Sequence, residues 1–139
     1  MYIFSFIECK DYKVLHESTR NVKYREGDFE CDRIGYDYTS PAWKGSGWYR
    51  FMAPAGTRIP ERPPVFSNYS KEKVCGTHLT GWLNGQHPTT PGELVSRKVC
   101  FKDNSNTCAA EKTIKIRHCG SYFVYHLTDV GCHYRYCAE

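Results

Sequence analysis

The chain lacks the short motifs that usually mark an enzyme or a metal site. No HExxH, GxSxG or phosphate-cradling glycine loop occurs among its 139 residues. No CxxC pair occurs either, although zinc sites and redox dithiols usually contain one. No apolar run approaches the length of a transmembrane helix, so we expect no direct membrane insertion. The sequence therefore indicates no cofactor and no motif-based catalyst.

The chain also lacks a concentrated charge of one sign. It has 19 Lys and Arg against 15 Asp and Glu, a net charge of +4, and the two signs are interleaved. A nucleic-acid groove would need a basic run that alternates with aromatic residues. We therefore predict a mixed, solvated surface and no nucleic-acid partner.

The N-terminus lacks a complete signal peptide. Residues 1–7 are apolar, but they are too few for a hydrophobic region with flanks, and no basic segment precedes them. We interpret residues 1–8 as an N-terminal strand or a truncated leader. Residues 9–139 are predicted to form one domain, because this length is typical of a single domain.

Cysteine is abundant by contrast. Eight are present, an even number, and their spacing is wide and irregular. This usage is typical of a disulfide framework in an oxidising compartment, and it predicts a secreted protein or an ectodomain. Spacing alone does not select the pairing. The cysteines are Cys9, Cys31, Cys75, Cys100, Cys108, Cys119, Cys132 and Cys137.

Aromatic residues make up 15% of the chain, and they concentrate in strand-like segments. The pattern predicts a small disulfide-stapled domain that is all-β or β-dominated. Asp11–Arg20 is the best helical candidate, because Tyr12, Leu15 and Thr19 share one helical face, and α+β with short helices is the variant. Turns are predicted at Asn84-Gly85 and Pro91-Gly92. The predicted strands are Gly47–Phe51, Leu94–Cys100, Thr113–Arg117, Ser121–Leu127 (buried on both faces) and Cys132–Cys137.

Two pairs place a histidine beside a cysteine. They are His118-Cys119 and Cys132-His133, and folding could bring them together as a zinc site. The ligand spacing differs from that of known zinc motifs, so we favour histidines that lie beside disulfides.

A small secreted hydrolase, such as a glycosidase, is the enzymatic alternative. It would need two facing carboxylates in a deep cleft, with Glu17, Asp32, Glu93 and Glu111 as candidates. Nothing in the sequence selects two of these acids over the others, and we interpret them as surface carboxylates. We predict that the chain is not an enzyme.

One N-x-S/T sequon is present, at Asn68-Tyr69-Ser70. It follows a proline-rich segment, residues 53–64, which is predicted to be irregular. In a secreted protein such a site predicts a surface glycan on Asn68.

Several ordered blocks resemble a known family. They resemble the eight-cysteine domain of the uromodulin and major zymogen-granule membrane glycoprotein family, over nearly the whole chain from Cys9 to Cys137. Several blocks in the family's order are more specific than any one of them. The blocks are GWYRF at Gly47–Phe51, CGT at Cys75–Thr77, WLNGQHP at Trp82–Pro88, GELVSRKVC at Gly92–Cys100 and YFVYHLT at Tyr122–Thr128.

The resemblance implies a non-enzymatic extracellular recognition or adhesion module. Such domains occur beside EGF-like, zona-pellucida or von Willebrand D-type domains in larger mosaic proteins, and one known role is a decoy whose glycan is bound by bacterial lectins. The implied partner is thus a protein or a glycan-binding protein at a cell surface or in secretions. The implied disulfides are Cys9–Cys119, Cys31–Cys132, Cys75–Cys137 and Cys100–Cys108.

Two sequons of the family's glycan-bearing type are missing here. Gln86 follows Asn84-Gly85, so that site is lost, and His126 stands where the second site has Asn. A decoy role, if this chain has one, therefore depends on Asn68.

Overall fold

The protein is described by a computed structural model that covers residues 6–25, 29–66 and 72–139. Seven strands dominate this part of the chain, together with three short 3-10 helices at Ile7–Cys9, Ser18–Arg20 and Val74–Gly76. The strands are β1 (Lys13–Leu15), β2 (Gly47–Phe51), β3 (Leu79–Asn84), β4 (Leu94–Lys102), β5 (Ala110–His118), β6 (Phe123–Leu127) and β7 (Tyr134–Tyr136).

All seven strands belong to one sheet, in the order β1-β2-β6-β5-β4-β3-β7. The five central strands pair antiparallel, whereas β1 pairs parallel with β2 and β7 pairs parallel with β3. The longest pairing joins β4 to β5, from Leu94 opposite Arg117 to Phe101 opposite Ala110. The two outer parallel strands thus bring N-terminal and C-terminal segments to opposite edges of a central meander.

One face of the sheet carries the main core. Side chains alternate between faces along a strand, and the inward set includes Tyr49, Ile116 and Tyr125, all fully buried. Irregular segments cover them rather than helices. Trp43, from the connection before β2, stacks on Tyr49 with ring centroids 4.7 Å apart, and Ile59 packs from the proline-rich segment.

On the opposite face, residues 6–12 cover the sheet near β6 and are here called the N-terminal flap, while Trp82 and Cys100 are buried further along the same face. There Val124 and the Cys9–Cys119 pair form a small cluster, against which Phe6, Tyr12, Trp48 and Tyr122 pack. Val124 is fully buried on this side, while Tyr125 and Leu127 are buried on the other. The prediction that the Ser121–Leu127 segment is buried on both faces is therefore confirmed for its central residues.

The predicted helix at Asp11–Arg20 is wrong. Its centre is strand β1, where Val14 lies opposite Arg50 and Leu15 lies opposite Phe51 of β2. Backbone pairing and complete burial of Leu15 outweigh a weak helical pattern. Only Ser18–Arg20 turns, as a single 3-10 helix.

The predicted β-dominated class is confirmed, and strand β2 matches the predicted Gly47–Phe51 segment residue for residue. β3 ends at Asn84, and residues 85–93 form a longer connection rather than one tight turn. The predicted N-terminal strand or leader lies mostly outside the described residues, and its described end belongs to the Ile7–Cys9 turn. No described helix is long and apolar enough to cross a membrane.

Candidate functional site

Three disulfides connect distant parts of the sheet. Cys9–Cys119 ties the N-terminal flap to the end of β5, Cys75–Cys137 joins the segment before β3 to the C-terminus, and Cys100–Cys108 closes the β4–β5 loop. These three predicted pairs are formed in the structure.

The predicted Cys31–Cys132 bridge is not formed, and both residues are free thiols. The backbone holds Cys31 separately, since its N–H donates to Tyr38 O at 3.0 Å and its carbonyl accepts from Ser40 N–H at 2.7 Å. Burial, with a smaller contribution from nearby Asp32 and Cys132, raises the pKa of Cys31 to about 11. The pairing of Cys31 with Cys132 stays a prediction from the family resemblance, and a count of free thiols in the folded protein tests it.

A buried ion pair lies under the N-terminal and C-terminal segments. The guanidinium of Arg20 binds both carboxylate oxygens of Asp32, at 2.6 and 3.0 Å, and both side chains are fully buried. Arg20 also donates to Tyr136 O, and the N–H of Tyr136 donates to Asp32 at 2.8 Å. Each charge therefore has hydrogen-bond partners, as buried charges require.

Arg135 extends this buried network. Its Nε donates to Ser40 Oγ and its Nη1 donates to Thr19 Oγ1, each at 3.0 Å. Its Nη2 lies 3.2 Å from Glu30 and 3.5 Å from Glu17. Burial lowers the pKa of Arg135 to about 10, and the charge of nearby Arg20 adds to that effect.

The four candidate acids do not assemble as a catalytic pair. Burial alone would raise the pKa of Glu17, but the charges of Arg20 and Arg135 lower it to about 2. Asp32 is held in the same network. Glu111 pairs with Lys98 on the surface at 3.1 Å, and Glu93 is exposed after the turn at Pro91-Gly92. Two of the acids are thus structural rather than the surface carboxylates we expected.

His87 forms a buried polar chain that sequence reasoning missed. Its Nδ1 lies 2.7 Å from Glu61 Oε2, and its Nε2 lies 2.7 Å from the Tyr125 hydroxyl. That hydroxyl also accepts the Ile59 N–H. Burial lowers the pKa of His87, which outweighs the opposing hydrogen bond to Glu61. Because Tyr125 is completely buried, this chain ties the proline-rich segment to the core.

The two histidine–cysteine pairs, His118-Cys119 and Cys132-His133, have different partners in the structure. Cys119 forms a disulfide with Cys9. The Nδ1 atoms of His133 and His78 lie 2.9 Å apart, within hydrogen-bond distance. The one ligand cluster in the described residues is Cys100, Cys108 and Glu111. Its two sulfurs are bonded to each other, so they are not available as thiolates.

A cleft of about 180 Å³ opens between the end of β2 and the β5–β6 turn. Arg50 and Arg58 line it, together with His118, Ser121 and Tyr122. The guanidinium carbon of Arg50 lies 3.8 Å from the centre of the Tyr122 ring. The predicted glycan residue, Asn68, lies outside the described residues, so its place relative to this cleft is not part of the structure.

The sequence carried only weak signals for these features. The alternation of side chains in GWYRF places Arg50 on the other face of the strand from Tyr49 and Phe51. It does not identify Tyr122 as the ring on which Arg50 stacks. Arg20, Asp32 and Arg135 are far apart in the chain and no local pattern connects them. An Arg in a short strand between aromatic residues, as in Tyr134–Tyr136, is the one hint of a buried charge.

Together the single β-sheet, its irregular cover and its disulfides define a stapled extracellular β-domain. The family model for the uromodulin-like eight-cysteine domain matches residues 49–138. The chain belongs to this uromodulin-like domain family, as the ordered sequence blocks indicated. It is an extracellular domain of either a secreted protein or the ectodomain of a membrane-anchored one.

Similar proteins are much longer than this chain. It is 31% identical over 138 residues to the pancreatic secretory granule membrane major glycoprotein GP2 of Canis lupus familiaris, covering 97% of this chain and 24% of that protein. It is 31% identical over 134 residues to uromodulin of Rattus norvegicus, covering 94% of this chain and 18% of that protein. Human GP2 is 29% identical over 134 residues, covering 95% and 22%. The chain thus spans less than a quarter of each relative.

Proposed function

We propose that the chain is a non-enzymatic recognition or adhesion module of a larger extracellular protein. The observation that carries this proposal is that 94% to 97% of the chain corresponds to 24% or less of each named relative, the share expected of one module. The commitment of Glu17 and Asp32 to buried arginines further supports a structural role for these acids. Neighbouring domains of EGF-like, zona-pellucida or von Willebrand D type are part of the proposal, as the family resemblance implies.

A glycan on Asn68 is the proposed element by which this module acts as a decoy. The sequon is the single one in the chain, and Val65, shortly before it, is 77% exposed. A mannose-type glycan here would present a ligand to a bacterial lectin, while the stapled sheet supplies a stable support.

The test uses protein secreted from a eukaryotic host and immobilised mannose-specific lectin. We expect the unaltered chain to bind, and both Asn68→Gln and Ser70→Ala to lose binding, because each removes the sequon. Asn84→Gln, at an asparagine outside any sequon, is the matched control and should bind normally. Lectin binding that persists without the sequon would contradict the decoy proposal. Hydrolysis of a glycoside panel above the rate of a heat-denatured sample would contradict the non-enzymatic part.

A further inference from the structure

We propose that the cleft around Arg50 binds the carboxylate of an acidic sugar. This inference goes beyond the proposed decoy function, in which a partner binds the chain's own glycan, because here the chain is the binding protein. It depends on the arrangement of one guanidinium, one aromatic ring and the polar groups across the cleft.

Arg50 is fixed but incompletely paired. Its Nη1 donates to the Tyr12 hydroxyl at 2.9 Å, and its guanidinium stacks on Tyr122. Its Nε is buried and has no hydrogen-bond partner among the described residues. An unpaired buried donor costs free energy, so an acceptor is favoured there once the groups that cover Nε move aside. A guanidinium can bind both oxygens of a planar carboxylate through two of its N–H groups.

The charge of the cleft also favours an anion. In the part of the chain that the structure describes, its lining contains Arg50, Arg58 and His118 but no Asp or Glu. Arg58 is partly neutralised, since its Nη2 lies 3.2 Å from the carboxylate of Glu139. Arg50 has no carboxylate partner among the described residues, which leaves it as the main anchor.

The remaining polar groups favour a sugar over an acidic side chain. Thr57 and Ser121 are hydroxyl-bearing residues of the cleft lining, and both are exposed. A polyhydroxylated ring can use such groups together with the arginine, whereas an Asp or Glu side chain carries only a carboxylate on an apolar stem. The volume of about 180 Å³ suits one sugar residue or part of one.

The test is an NMR titration of the 139-residue chain with methyl β-D-glucuronide, compared with the neutral methyl β-D-glucoside. We expect the glucuronide to shift backbone signals of residues 118–123 and the Arg50 Nε–H signal, and the glucoside to leave them in place. Arg50→Met should weaken glucuronide binding at least about tenfold. Arg50→Lys should also weaken it, because lysine keeps the charge but lacks the planar fork.

Lys115→Met, which removes one positive charge from exposed β5, is the control and should bind as the unaltered chain does. Dispersed spectra establish that each variant is folded. Equal shifts with the neutral sugar, or unchanged affinity in Arg50→Met, would overturn the proposal. Tighter binding of a glutamate derivative blocked at both backbone ends would overturn the sugar assignment in favour of an acidic peptide. Loss of lectin binding in Asn68→Gln leaves this result unaffected, so the two proposals fail separately.

Discussion

Arg20 and Arg50 both lie in the folded domain next to aromatic or acidic partners, but the protein uses them differently. Arg20 is fully buried and binds Asp32 through two nitrogens, so its charge is neutralised inside the protein. Arg50 stacks on Tyr122 and keeps an unpaired Nε beside a cleft. The first arrangement connects segments of the fold, whereas the second leaves a charge available to a ligand. The two arginines therefore differ in whether, among the described residues, a carboxylate neutralises the guanidinium, which marks Arg20 as a structural residue and Arg50 as a candidate binding residue.

The two regions are also held in place by different means. The Arg20 region depends on ion pairs and on the Cys75–Cys137 bridge, whereas the Arg50 region depends on the N-terminal flap, which Cys9–Cys119 ties to β5. Tyr122 strengthens the flap, because its hydroxyl donates to Cys9 O. A substitution can therefore disrupt the contacts of one region without directly altering those of the other.

The largest effect is expected from removing the Cys9–Cys119 bridge by a Cys9→Ala, Cys119→Ala double change. The bridge closes a sequence separation of 110 residues, for which loop entropy gives about 4 to 5 kcal/mol of stability. Urea denaturation measures the loss. The matched control is Cys100→Ala with Cys108→Ala, whose separation of 8 predicts a smaller loss of about 2 to 3 kcal/mol. Equal losses would contradict the role of the long loop.

Asp32→Asn should have the next largest effect. It leaves the Arg20 charge buried without its carboxylate, which costs about 3 to 5 kcal/mol when one partner of a buried pair is removed. The midpoint and slope of urea unfolding measure this change. Asp37→Asn, at an exposed turn, should leave the free energy of unfolding unchanged. A stable Asp32→Asn protein would show that the network contributes little.

Arg50→Met should lower the free energy of unfolding by less than about 1 kcal/mol. The variant loses a cation–aromatic contact and one hydrogen bond, but it also removes an unpaired buried donor. The same urea measurement applies. A loss as large as that of Asp32→Asn would make Arg50 a structural residue and remove the contrast between the two arginines.

The smallest effect is expected from the titration of His87, which lies in a third region, whereas the acid titration of Glu17 belongs to the Arg20 region. Because burial lowers the pKa of His87 below its ordinary value of 6.5, the unfolded chain binds that proton more readily, and stability should decline as pH falls below 6.5. Because the pKa of Glu17 is lowered from 4.5 to about 2, its contribution is present above 4.5 and is lost between those values.

Unfolding measured across pH checks both windows. His87→Gln should remove the decline near pH 6.5 and retain the acid decline. A His87→Gln protein that still loses stability through the same window would assign that decline to another group.

Sequence reasoning identified the β-dominated class because strands such as Gly47–Phe51 carry their own local pattern. It failed at Asp11–Arg20, where a partner strand from β2 decides the conformation and no local signal reports that partner. The same limit applies to Asp32: its role depends on Arg20 and Tyr136, which only folding brings together. Three cysteine pairs followed from the family resemblance, since spacing alone could not choose them.

The most direct test of the account is a non-reducing peptide map of the chain secreted from a eukaryotic host. We expect linked peptides for Cys9–Cys119, Cys75–Cys137 and Cys100–Cys108, of which the first ties the flap near Arg50 and the second lies in the Arg20 region. The structure also predicts that Cys31 and Cys132 are recovered as alkylated thiols, and a link between them would restore the family pairing. A different partner for Cys9, or a free Cys9 in folded protein, would contradict the claim that a covalent staple positions the flap over Arg50.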